Sequence, residues 1–166
     1  MPSFVPRSHI ASLVMALAGP AAIGASIGLP NGAAPMLRQL LAIPAILVGT
    51  SLFMLPALYI ASSLVGIAPS ASSVLSSWIA AQRDAGVLLL GLAPACLFLL
   101  ATSQSVAATW LLGSAAVCAG ACLSLRTIHS GLFVDVPRVK SVPLFSAWAA
   151  VALGLGIHLF VKSFAM

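Results

Sequence analysis

His158 is the one strongly polar ionisable side chain that falls inside an apolar run of this chain. A histidine within such a run can ligate haem, relay a proton or hydrogen-bond a neighbouring helix. Alone it cannot build a bis-histidine haem site, and it stands four residues before Lys162, where a partly solvated imidazole is ordinary. His9 and His129 lie in polar flanks and are expected to meet solvent. Cys118 and Cys122 share a helix face, with Cys96 on the preceding apolar run. Metal sites favour tighter pairs with further ligands, and helical i, i+4 thiols do not close a disulfide easily. These cysteines therefore read as small hydrophobes. Glu is absent, and Asp84 and Asp135 both fall in polar segments. Paired carboxylates for acid–base work are missing, as is the intramembrane carboxylate that ion-coupled transport uses. Ser62, Ser63 and Ser124 are expected to bond back to helix carbonyls. No catalytic, cofactor or metal site is expected, and the chain does not read as an enzyme.

The elements that hold these residues are apolar and long. The composition is 61% hydrophobic and 5% charged, against about 25% charged in an ordinary soluble domain. Such a chain cannot cover a water-facing surface. Between Arg38 and Arg83 there is no charge, and a bilayer-spanning helix needs only about 20 apolar residues. The expectation is one all-α domain over residues 1–166: a polytopic transmembrane bundle of about five spans, at 10–29, 39–66, 85–102, 106–125 and 144–161. The first stretch could be taken for a signal peptide, but it is long for one and lacks a clear cleavage site. Pro30-Asn31-Gly32 is a strong breaker between the first two spans. Pro44, Pro56 and Pro94 sit inside spans, where each removes a donor and is expected to place a kink.

Between the second and third spans, Val74, Leu75, Trp78 and Ile79 line one helical face with serines opposite. This predicts a short amphipathic helix at about 71–82, lying in the membrane interface with Trp78 at headgroup level, with Ser70 or Ser72 as its cap. Gly24 and Gly28 fall four apart on one face of the first span, a spacing that lets another helix approach closely, and Gly113, Gly154 and Gly156 add further small positions.

The net charge of +5 comes from basic residues scattered singly between apolar runs. They form no groove-tracking patch for nucleic acid and read as topology markers. With five spans, Arg7, Arg83, Arg126, Arg138 and Lys140 fall on one side, and Arg38 and Lys162 on the other. The bias predicts an N-terminus inside and a C-terminus outside.

A resemblance accompanies these features. Arg38 and Ile43-Pro44 open a span, Pro56-Ala57-Leu58-Tyr59 closes it near Gly66, and Leu92-Ala93-Pro94 centres the next. Over roughly residues 10–125 this pattern resembles a group of bacterial polytopic membrane proteins. The resemblance implies a helical architecture in the bacterial inner membrane, and no activity that transfers to residues.

Two function classes stay open. One is a non-catalytic subunit or anchor, whose small-residue faces and Trp78 helix bind other membrane subunits within the bilayer. The other is a small transport or channel component, with kinked spans that move or line a path. Thr50, Ser51, Ser62 and Ser63 are the polar candidates for such a lining.

Overall fold

The structure, a computed structural model, describes residues 7–67, 69–103, 105–134 and 136–165. It is an all-α bundle: α1 (Arg7–Gly28), α2 (Ala33–Leu64), α3 (Ala71–Ser103), α4 (Val106–Leu132) and α5 (Arg138–Ala165), with a single 3-10 turn, Leu29–Asn31, between the first two. All five helices are long and apolar enough to cross a membrane.

The helix ends follow from local chemistry. Gly32 takes φ 109° at the break before α2. Gly66, at φ 75°, ends α2: its N–H bonds the Ser63 carbonyl at 3.1 Å and the Ile67 N–H bonds that of Ser62 at 3.0 Å. This is the paired capping pattern that a left-handed glycine permits. Ser70 caps α3, its hydroxyl accepting from the Ser73 N–H at 3.1 Å. Ser105 caps α4 in the same way through the Ala108 N–H. The helices run without interruption through Pro44, Pro56 and Pro94.

The amphipathic helix expected at 71–82 is not a separate element. It forms the first turns of α3, which continues unbroken into the span. Arg83 and Asp84 look like a loop in sequence, but on the helix surface the exposed Arg83 pairs with the half-buried Asp84 at 2.9 Å, so the helix has no reason to stop there. Val74 and Trp78 face inward, Trp78 only 6% exposed, in a cluster with Leu58, Ile128, Phe145 and Trp148. Trp78 therefore packs inside the bundle rather than on an interfacial face. Arg126 likewise does not end α4, which runs on to Leu132.

Two apolar cores hold the bundle. The first joins α2, the start of α3, the end of α4 and the start of α5. The second, around Ile23, Ile27, Leu89 and Leu100, joins α1, α3 and α4. α1 packs most extensively on α3 and on α2, α3 also on α4, and α5 mainly on α2, whereas the backbones of α4 and α5 stay apart and meet through side chains.

The tightest crossing is between α1 and α3. A methyl group on Gly19 would land on the backbone of Gly86, and one on Gly86 on the backbone of Met15. Next to it the Ser26 hydroxyl reaches the Ala22 carbonyl at 2.8 Å and the Ala93 carbonyl of α3 at 3.3 Å. Gly24 and Gly28 give α2 the same close approach, at Gln39–Leu40 and at Pro35–Met36. Gly113 lies against the Ile27 side chain, while Gly154 has open space around it.

Candidate functional site

The inward face of α2 carries two hydroxyls in succession, and α3 and α4 complete a polar cluster around them. Ser51 Oγ accepts from the Trp78 indole N–H at 3.0 Å and from the Gln82 amide at 3.0 Å, while donating to the Val48 carbonyl at 2.9 Å. The Gln82 amide also reaches Ser124 Oγ at 3.3 Å. Thr50 is buried beside them, and its Oγ1 has no hydrogen-bond partner. On α5, the Trp148 indole N–H bonds the Met54 carbonyl at 2.8 Å. In lipid a buried polar group must find its partners within the protein, and Gln82 finds two hydroxyls on two other helices.

This cluster forms the polar end of a cavity of about 450 Å³. Its long walls are α4, from Trp110 to Ile128, and α5, from Trp148 to Val161, two helices whose backbones stay apart. Thr50, Ser51 and Gln82 back it from α2 and α3. Most of the remaining lining is apolar, including Leu47, Leu89, Val117, Ala121, Ala152, Leu153 and Ile157, with the Ser114 hydroxyl turned back onto the Leu111 carbonyl. Near the far end Trp110 and Phe160 meet edge to face, with ring centroids 6.2 Å apart.

A second, more polar cavity of about 770 Å³ lies at the end of the bundle where α1 turns into α2 and α3 into α4. Asn31, Arg38, Gln39, Ser105 and Thr109 line it, and Trp110 lines both cavities. The Ser163 carbonyl of α5 accepts from the Arg38 guanidinium and, at 3.3 Å, from the Gln39 amide. Gln39 is buried, and its Oε1 has no hydrogen-bond partner.

The residues singled out from sequence are dispersed differently. Of the four polar candidates on α2, Thr50 and Ser51 face the first cavity, whereas Ser62 and Ser63 bond back to the Leu58 and Tyr59 carbonyls at 2.8 Å each. Gly24, Gly28 and Gly113 are covered by neighbouring elements of the same chain. His158 is exposed on α5 and does not line either cavity. His129, expected in solvent, is half-buried, its ring 5.1 Å from that of Phe145 and 5.6 Å from that of Phe133, and its Nε2 has no hydrogen-bond partner. The three cysteines are free thiols, Cys96 in the second core and Cys118 and Cys122 exposed on α4. Among the described residues no three His, Cys, Asp or Glu side chains gather as a metal site would require. Asp135 lies outside the described residues.

Gln39 and Gln82 were hidden in sequence because each stands beside an arginine and reads as part of a polar flank. The available signal was their register: Gln82 is four residues after Trp78, on the same helix face.

A comparison with protein families, with curated proteins and with solved structures finds no match to this chain.

Proposed function

We propose that this chain is a non-catalytic integral membrane protein that takes a lipid-like molecule from the bilayer into the slot between α4 and α5. The observation that carries this reading is the slot itself: largely apolar along its walls, with its polar groups gathered mainly at one end, and bounded by two helices whose backbones stay apart between aromatic contacts near each end. Its volume falls within the roughly 300–1,000 Å³ of small-molecule sites, which are likewise apolar with a few converging polar groups. The hydroxyls of Ser51 and Ser124 offer no chemistry here, since Gln82 is the group beside them and supplies no base. This reading develops the transport class. The subunit class drew on small-residue faces, of which Gly24, Gly28 and Gly113 already serve contacts within the chain, while Gly154 and Gly156 meet open space.

The test is mass spectrometry of lipid retained by the full chain purified in mild detergent. Ala121→Phe and Ala152→Phe place a ring in the slot, each from one wall. Displacing two buried methylenes at about 0.8 kcal/mol apiece lowers occupancy about tenfold. Retained lipid that falls in both variants, in protein that still elutes as a folded species, supports the reading. Unchanged lipid in both, or a stoichiometric second polypeptide in place of lipid, defeats it.

The setting is a bacterial inner membrane with the N-terminus inside, supported by the five-to-two distribution of basic residues. In a background lacking the three cysteines, Asn31→Cys and Val139→Cys are both exposed positions, at opposite ends of the bundle. An impermeant maleimide added to intact cells is expected to label Cys at 31 and spare it at 139. The reverse pattern would invert the orientation.

A further inference from the structure

We infer that the molecule held in the slot is an amphiphile with a phosphate-bearing, hydroxylated headgroup, seated in the second cavity against Arg38 and Gln39. This rests on the slot reading above and adds the identity of the polar end. Three observations converge on it. Trp110 lines both cavities, so the apolar slot and the polar one share a wall. The polar cavity holds Arg38, the only charged residue lining it among the described residues, and a guanidinium offers five donors in a planar fork suited to phosphate. Its contact with the Ser163 carbonyl leaves donors to spare. Gln39 is 95% buried by its 5% exposure and lines the same cavity, and its Oε1 is an acceptor without a donor. A buried carbonyl left unpaired costs about 1–3 kcal/mol, and a headgroup hydroxyl would supply the missing proton. Phosphate for Arg38, hydroxyl for Gln39 and a chain past Trp110 describe one ligand. Basic pockets between membrane helices bind anionic lipid headgroups by the same physics.

The experiment uses the full chain in detergent micelles, titrated with lipids whose acyl chains carry bromine. Bromine quenches tryptophan, and Trp110 and Trp148 both line the slot. Brominated phosphatidylglycerol carries both phosphate and hydroxyls. Brominated phosphatidylcholine has the phosphate without the hydroxyl, and brominated diacylglycerol the hydroxyl without the phosphate. Quenching by the first is expected at about tenfold lower mole fraction than by diacylglycerol, the effect of one charge-assisted hydrogen bond to Arg38, and at lower mole fraction than by phosphatidylcholine, the effect of a hydroxyl on Gln39. Arg38→Gln is expected to abolish the preference over diacylglycerol while leaving chain binding in place. Because Arg38 also ties α2 to Ser163, Thr109→Asp provides a second variant. Thr109 bonds only within its own helix, to the Ser105 carbonyl at 3.1 Å, and a carboxylate there repels phosphate without breaking a tie between helices. It too should erase the preference over diacylglycerol.

Equal quenching by all three lipids, or a preference over diacylglycerol that survives both variants, overturns the headgroup assignment and leaves the slot reading standing. No quenching by any of them defeats the slot reading itself. Inorganic phosphate that competes at the same concentration as phosphatidylglycerol would assign the site to the free ion and overturn the lipid assignment.

Discussion

Alanine at Gly19 or at Gly86 is expected to prevent this protein from folding. Each added methyl would meet backbone of the opposing helix, Gly86 in the first case and Met15 in the second. A backbone cannot rotate aside as a side chain can, so α1 and α3 would have to separate along their most extensive contact. Ordinary overpacking of a core costs about 1–3 kcal/mol. Parting two helices should exceed about 3 kcal/mol, a large share of the 5–15 kcal/mol that typically separates folded from unfolded states. The controls are Gly49→Ala and Gly91→Ala, where a methyl meets open space. There the helical preference for alanine over glycine, roughly 0.5–1 kcal/mol, should leave stability unchanged or improved. Size-exclusion profiles of fluorescently tagged variants in mild detergent compare the four directly. A monodisperse Gly19→Ala protein would show that the crossing is looser than the geometry requires.

The second large effect is expected at Ser51. Its hydroxyl receives two donors, the Trp78 indole and the Gln82 amide, and Ser51→Ala leaves the indole N–H without its partner. Gln82 retains Ser124 at 3.3 Å. Stranding a buried donor costs about 1–3 kcal/mol, so Ser51→Ala should lower the thermal midpoint well below that of Ser124→Ala. The latter removes one of two acceptors for a single amide, and polar contacts between membrane helices average only about 0.6 kcal/mol. Trp78→Phe in the Ser51→Ala background should recover much of the loss, because removing both partners is far cheaper than removing one. Equal midpoints for the two serine variants would show that the indole bond contributes nothing.

How far the structure was legible in sequence depended on whether each feature was local. The helices and their breaks were legible because hydropathy, Pro30-Asn31-Gly32 and the Ser70 cap act within a few residues. Gly24 and Gly28 were legible as a packing face because they share one helix at a fixed spacing, although nothing in that spacing says which helix covers them. The Gly19–Gly86 crossing was not legible: the two glycines are on different helices, and no spacing links them. The merging of the expected 71–82 helix into α3 was missed because Arg83 and Asp84 look like a loop, whereas on the helix surface they neutralise each other. His129 was expected in water because its neighbours in sequence are polar. Phe145, which shields it, comes from the next helix. The polar cluster around Gln82 draws on three helices, so its members signal nothing until the bundle assembles.

The attachment of α5 to α2 rather than to its neighbour in sequence has a kinetic consequence. The α1–α2 and α3–α4 pairs form between adjacent segments, with short loops to close. The bonds from Trp148 to Met54 and from Arg38 to Ser163 join residues 94 and 125 positions apart. Contacts of such separation form late, after local ones have paid the entropy of ordering their own segments. The docking of α5 is thus expected to be the closing event of assembly, and until it completes one side of the slot is unwalled.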